Sequence, residues 1–249
     1  MPTAGFQPST YGERIADVFD DSFVPTDEHS AAGFLASVAR GGPALELGIG
    51  TGRVALPLRR LGVEVHGIDA SDAMVSRLRA KRGGARLPVA IGDMSSVKAP
   101  AGPYALIYVV FNTFYALLTQ EDQLRCVSNV AARLDTRGVF VVEGFVPDPA
   151  VYDRGERTEA VEVELDRVRL DVARHDAHTQ HITGQHVVLT EDSVRLYPFA
   201  MRYVWPSELD LMARVAGLRL QARYGGWHHE PFTAASGFHV SVYERRGRR

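Results

Sequence analysis

Cysteine is nearly absent from this 249-residue chain: Cys126 stands alone, so no internal disulfide staples the fold. It falls in a helical pattern with Leu124, Val127 and Val130, which reads as a small buried residue rather than a nucleophile. Lysine is almost missing too, since Lys81 and Lys98 are the only two and arginine supplies the remaining basic charge. An excess of either sign is also lacking: 28 basic against 30 acidic residues leave a formal charge of -2. No global field therefore draws the chain to nucleic acid or anionic lipid, and neither is expected as a partner. No apolar run is long enough to span a bilayer, and the first residues show no charged-then-apolar leader, so a cytoplasmic protein is expected. The hydrophobic content of 45% suits a sizeable core: one α/β domain, with or without a small insertion.

The informative stretch is Leu45-Glu46-Leu47-Gly48-Ile49-Gly50-Thr51-Gly52-Arg53, followed by Val63-Glu64-Val65-His66-Gly67-Ile68-Asp69. It reads as strand, glycine-rich turn, helix, second strand and a closing acid. Glycines at such a turn let backbone N–H groups approach a ligand at a helix N-terminus. An acid about 20 residues further on is placed to take a ribose diol. A nucleoside-containing cofactor is expected. The dinucleotide pattern G-x-G-x-x-G/A is not met, because Arg53 holds the third position and Gly52 comes one place early. No lysine follows the turn as a phosphate-binding loop requires.

The segment resembles motif I of the class I S-adenosylmethionine-dependent methyltransferases, with Glu46 as its leading acid. The resemblance continues through Asp69, through Gly92-Asp93-Met94 after the third strand, and through Val109-Val110-Phe111-Asn112-Thr113 at the end of the fourth, covering residues 10–145 in order. It implies S-adenosylmethionine as cofactor. Gly48 and Gly50 would give the backbone approach, and Glu46 would accept from the cofactor's ammonium. Asp69 would hold the ribose, and Gly92, Asp93 and Met94 the adenine, with Ala70, Met74 and Val109 lining the pocket. Tyr11-Gly12-Glu13-Arg14 resembles the opening helix that closes over the sulfonium and carboxylate in many relatives. Tyr11 and Arg14 are therefore expected at the cofactor, with Tyr11, Asn112 and Phe114 around the transferred methyl.

Along the chain, strand-like runs alternate with amphipathic helices. A helix is expected over residues 11–20, and Ser71 is a natural N-cap. Strands at residues 86–91, 105–110 and 139–143 have the continuous apolar character of strands buried on both faces. After Pro147 and Pro149 the period changes to two. Val161, Val163, Leu165, Val168, Leu170 and Val172 alternate with charged residues, and residues 186–190 and 193–204 repeat the pattern. Three antiparallel strands with one apolar and one wet face are expected. Residues 207–216 return to a helix, and 218–224 and 239–245 to strands. The fold expected is a doubly wound, mostly parallel seven-stranded Rossmann-like sheet over residues 1–149 and 205–249, its first 40 residues a helical cap. The small antiparallel insertion at 150–204 is expected over an acceptor pocket or in a subunit contact, which leaves a homo-oligomer open. The arginine-rich tail at residues 245–249 reads as a solvated terminus.

His175, His178, His181 and His186 invite a metal reading, but an offset of three puts His178 on the opposite strand face, and no metal is expected. Any general base would come from these histidines or from the residue 225–230 loop with His228 and His229. A small-molecule acceptor is expected, an amine nitrogen of a secondary metabolite before a hydroxyl, since an amine needs no strong base. Two other readings are a binding-only S-adenosylmethionine protein and a nicotinamide-dependent reductase.

Overall fold

The computed structural model describes residues 5–22, 27–96 and 99–245; Arg246, Gly247, Arg248 and Arg249 of the basic tail lie outside them. The chain opens with α1 (Thr10–Ile15) and α2 (Phe19–Ser22). The helix expected over residues 11–20 is thus broken in two. The break lets Asp20 accept from Thr51 Oγ1 at 2.6 Å and pair with Lys81 at 2.7 Å, which ties α2 to the glycine turn. Next come α3 (Glu28–Ala39), β1 (Ala44–Leu47), α4 (Ala55–Arg60), β2 (Val65–Asp69) and α5 (Asp72–Ala80). Ser71 caps α5, accepting from Met74 N at 3.2 Å. Then follow β3 (Val89–Ile91), β4 (Tyr104–Val109), α6 (Gln120–Arg133) and β5 (Leu134–Phe145). β3 starts three residues later than expected because Pro88 has no N–H to give a ladder; its carbonyl accepts from Gly67 N at 2.9 Å.

After α7 (Pro206–Val215), β10 (Leu218–Tyr224) and β11 (Phe238–Arg245) join these strands in one sheet. Four strands of a separate sheet lie between β5 and α7, and the order is β10-β11-β5-β4-β1-β2-β3. β1 runs parallel to both β2 and β4, whereas β11 is antiparallel to β5 and β10. The sequence direction reverses at β1 and β4, the switch point where sheets of this kind hold ligands at their carboxyl ends. Leu45, Leu47, Ile107, Val109, Phe140 and Val142 are buried there, as continuous apolar strands require.

A second, antiparallel sheet is formed by β6 (Glu156–Val163), β7 (Arg167–Asp176), β8 (His181–Thr190) and β9 (Val194–Arg202). It has four strands rather than three. The slip between Leu165 and Val168 is a hairpin turn, with Leu165 fully exposed at its tip and Val163 paired with Val168. Its faces do not divide into one apolar and one wet: Ala173, Ile182, Phe199 and Met201 share the inner face with charged groups. Val172, Val194 and Leu196 lie exposed on the outer face. Their charged neighbours Glu159, Asp171 and His186 point inward, toward a cavity shared with the main sheet.

Candidate active site

A cavity of about 450 Å³ follows the carboxyl edge of β1, β2, β3 and β4. Gly48 and Gly50, which line it, and Gly52, which does not, are all left-handed, with φ of 71°, 54° and 77°. A Cβ on Gly50 would meet no atom within 4 Å and would project into open space, so the position leaves room for close backbone approach. Gly52 does the packing expected of the dinucleotide pattern's third glycine one place early, because a Cβ there would fall 2.3 Å from Leu78 Cδ1.

Carboxylates dominate the polar lining. Asp69 accepts from Gly50 N at 2.7 Å and Ser71 N at 2.8 Å, so it fixes the turn while facing the cavity. Burial raises its pKa. Glu46 is almost wholly buried, accepts from Tyr108 OH at 2.9 Å, and is pushed up to about 8, chiefly by burial. Asp93 lines the far end, but its oxygens already accept from Ser95 N at 2.7 Å and Ser95 Oγ at 2.8 Å. Ala70, Met74, Gly92 and Met94 line the same end, and Tyr11 covers the near one. Gly12 permits this cover: its Cβ would lie 2.5 Å from Ser71 Cβ, so only glycine lets α1 rest on α5. Glu13 then accepts from Ser71 Oγ at 2.7 Å and locks the two helices together.

Three expected site residues lie elsewhere. Arg14 is exposed and lines no part of the cavity, because Gly12 and Ile15 form the buried stripe of α1. Val109 is fully buried inside β4, and Val110 lines the cavity in its place. Phe114 is fully buried in the core, since the 3-10 turn Thr113–Ala116 carries it beneath the sheet edge. Phe111, in the run expected to border the acceptor, lines the cavity, and so does Arg53, which was expected only as a departure from the dinucleotide pattern. Arg53 lines the cavity with its Cζ 4.3 Å from the Phe19 ring centroid and 5.4 Å from that of Phe111.

A second cavity of about 370 Å³ lies between the end of β5 and the inner face of the antiparallel sheet. Asn112 lines it, while its neighbour Phe111 lines the first. Both residues are left-handed, with φ of 54° and 63°. Glu143 accepts from Phe111 N, and Asn112 Oδ1 accepts from Phe145 N at 2.7 Å. Across this divide the Tyr11 and His186 rings lie 6.2 Å apart. His186 Nδ1 is 2.6 Å from Asp171 Oδ1, and its ring stacks on Phe199. His175 also lines this cavity, bonded to Tyr203 OH at 2.9 Å, and burial lowers its pKa. The other histidines do not face it: His178 is exposed in the β7–β8 turn, and His181 Nε2 donates to Leu118 O at 2.8 Å. His228 and His229 are exposed, the latter packed on Phe34 and Tyr224. Among the described residues no cluster of three or more His, Cys, Asp or Glu could hold a metal, and no helix is long and apolar enough to cross a membrane.

A doubly wound sheet with an acid-lined, glycine-floored cavity at its switch point defines the nucleoside-cofactor proteins of Rossmann-like fold. Residues 44–138 match the family model described as a methyltransferase domain. The chain is 38% identical to the CcbJ methyltransferase from Streptomyces caelestis, covering 97% of this chain and 100% of that one with a TM-score of 0.92. It is 27% identical over 247 residues to a cypemycin N-terminal methyltransferase from a Streptomyces species, covering 96% of this chain and 99% of the relative. The S-adenosylmethionine-bound amino pentose methyltransferase CalS10 from Micromonospora echinaspora shares the fold, with a TM-score of 0.66 at 20% identity, covering 88% of this chain and 92% of that one. The chain belongs to the S-adenosylmethionine-dependent methyltransferases. It is an enzyme acting on a small molecule or peptide, with S-adenosylmethionine as its cofactor, and the reductase and binding-only readings fall away. The lining has the chemistry such a cofactor would need: the carboxylates Glu46 and Asp69, an open backbone approach at Gly50, and apolar Met74 and Met94.

Proposed function

We propose that the enzyme methylates an amine nitrogen of a small secondary metabolite or peptide, held in the second cavity beneath the inserted sheet. The supporting observation is the lining of that cavity. Asp148, Glu159 and Asp171 face it against the single arginine Arg157, and Phe145, Tyr152, Phe199 and Tyr203 supply aromatic walls. Net negative charge with aromatic faces selects a cationic amine carried on an apolar body. The name of the cypemycin relative, which refers to a peptide N-terminus, agrees with an amine acceptor for that protein.

The cofactor supplies a methyl group activated by its sulfonium. The chain's contribution is alignment and exclusion of water, which together account for much of the acceleration in such transfers. Phe111 and Tyr11 wall the donor side, and Asn112 and His186 the acceptor side. The acceptor, recognised as its ammonium, attacks once that proton has been lost to solvent. His186, held by Asp171 at Nδ1, offers a second route in which Nε2 of the neutral ring would take that proton.

That same His186–Asp171 pair favours one other reading, transfer to a hydroxyl, which needs a positioned base. The two separate in an assay with labelled S-adenosylmethionine. Amino sugars, amino-acid amides and peptides with a free N-terminus are each offered beside the matching hydroxyl compound. Label on nitrogen is expected. Label on the hydroxyl compounds alone would replace the amine reading.

A further inference from the structure

We propose that Arg53, rather than Arg14 of the opening helix, binds the carboxylate of the cofactor's amino-acid end. That end is a zwitterion, so it needs one acid and one base side by side. The donor cavity is rich in acids, with Glu46, Asp69, Asp93 and Asp122 all lining it. Arg53 is the only cationic side chain among the described residues that line it. Lys81 does not line it, and its Nζ is bound to Thr51 O at 2.8 Å and to Asp20. Arg14 is exposed outside it.

The position fits the task. Arg53 follows the glycine turn, at the end of the cavity shared with Glu46 and away from Asp93. Phe19 and Phe111 cover its guanidinium, which fixes the plane of a fork that matches a carboxylate in two bonds. Burial lowers its pKa, while the neighbouring Asp20, Tyr11, Glu28 and Glu46 act to raise it. The departure from the dinucleotide pattern acquires a purpose here. Gly52 packs against Leu78, which frees position 53 for a long basic side chain.

The test is calorimetric binding of S-adenosylhomocysteine and of 5′-methylthioadenosine, which keeps the nucleoside thioether but lacks the amino-acid end. Arg53→Met is expected to weaken the first ligand roughly 10- to 100-fold, the scale of one lost charge-assisted contact, and to shift the second by less than about threefold. Arg53→Lys, which keeps a point charge without the fork, should fall between. Arg14→Met should bind both ligands as the parent does. An equal loss of both ligands in either Arg53 variant would overturn the assignment, as would unchanged S-adenosylhomocysteine affinity in Arg53→Met. A loss confined to S-adenosylhomocysteine in Arg14→Met would return the role to α1. Should Arg53→Met fail to fold, the ratio of the two affinities in Arg53→Lys decides: a lowered preference for S-adenosylhomocysteine supports the assignment, and an unchanged one overturns it.

Discussion

Phe111 and Asn112 are adjacent in the chain, share a left-handed backbone, and line two different cavities. Two consecutive non-glycine residues in that region cost energy, and such strain persists only where the surroundings fix it. Here Glu143 accepts from Phe111 N, and the Asn112 side chain accepts from Phe145 N. Asn112→Ala removes that acceptor and is expected to destabilise the protein by about 1–3 kcal/mol, the cost of orphaning a buried N–H. Asn112→Asp, which keeps an acceptor oxygen, should lose less. Urea unfolding of the two variants checks the order; equal losses would mean that the bond to Phe145 contributes nothing.

Asp69→Ala is expected to weaken S-adenosylmethionine binding by about 2–3 kcal/mol, the scale of charge-assisted bonds lost. Asp93→Ala should weaken it less, because an adenine amine offers a single bond where the ribose diol offers two. Calorimetry on folded variants decides, and an unchanged affinity in Asp69→Ala would remove the ribose assignment.

The buried acids predict a pH dependence. Glu46 is raised from 4.5 to about 8 and Glu143 from 4.5 to about 7, both chiefly by burial. The folded protein therefore binds more protons than the unfolded chain between those values. The stabilisation is complete below about 4.5 and is lost as pH rises through 7 and 8. Melting temperatures of the cofactor-free protein should fall across that window, and Glu46→Gln should flatten the fall. Binding of the cofactor's ammonium beside Glu46 should release a proton, seen as a binding enthalpy that varies with the ionisation enthalpy of the buffer.

Phe114→Ala now carries a different expectation from the one its place in the sequence suggested. Because the ring is fully buried in the core, the change should cost about 3–5 kcal/mol of stability. Cofactor affinity of the folded fraction should be unchanged. A variant of parental stability with impaired turnover would put the ring back in the pocket wall.

His186 is the histidine to test first for a proton role. Replacement by Gln is expected to lower turnover on an amine less than about 100-fold, near the bottom of the range for general-base catalysis. Raising the pH should restore part of the loss. A drop of several thousand-fold with cofactor affinity intact would mark a dedicated base and move the reaction to a hydroxyl acceptor.

The parallel half of the fold was legible because its signals are local. The glycine turn, Asp69 and the Ser71 cap each announce themselves within a few residues, and strands buried on both faces show as unbroken apolar runs. The inserted sheet was harder to read. Ala173, Ile182, Phe199 and Met201 on its inner face compete with Val172, Val194 and Leu196 on its outer face, so alternation alone does not say which side is covered. The places of Arg53 and Phe111 at the first cavity were hidden for a different reason. They depend on Phe19 and Glu143, which reach them from distant parts of the chain. Arg14 and Phe114 were misplaced by a turn of helix or a single reversal of backbone, distances too short for a motif to resolve.

α1 is a party wall. On one side Tyr11 covers the cofactor cavity; on the other Ile15 and Ala16 pack with Val188 and Tyr197 of the inserted sheet. One helix thus serves both chambers: anything that displaced α1 would alter the cover of the cofactor cavity and the packing of the inserted sheet together.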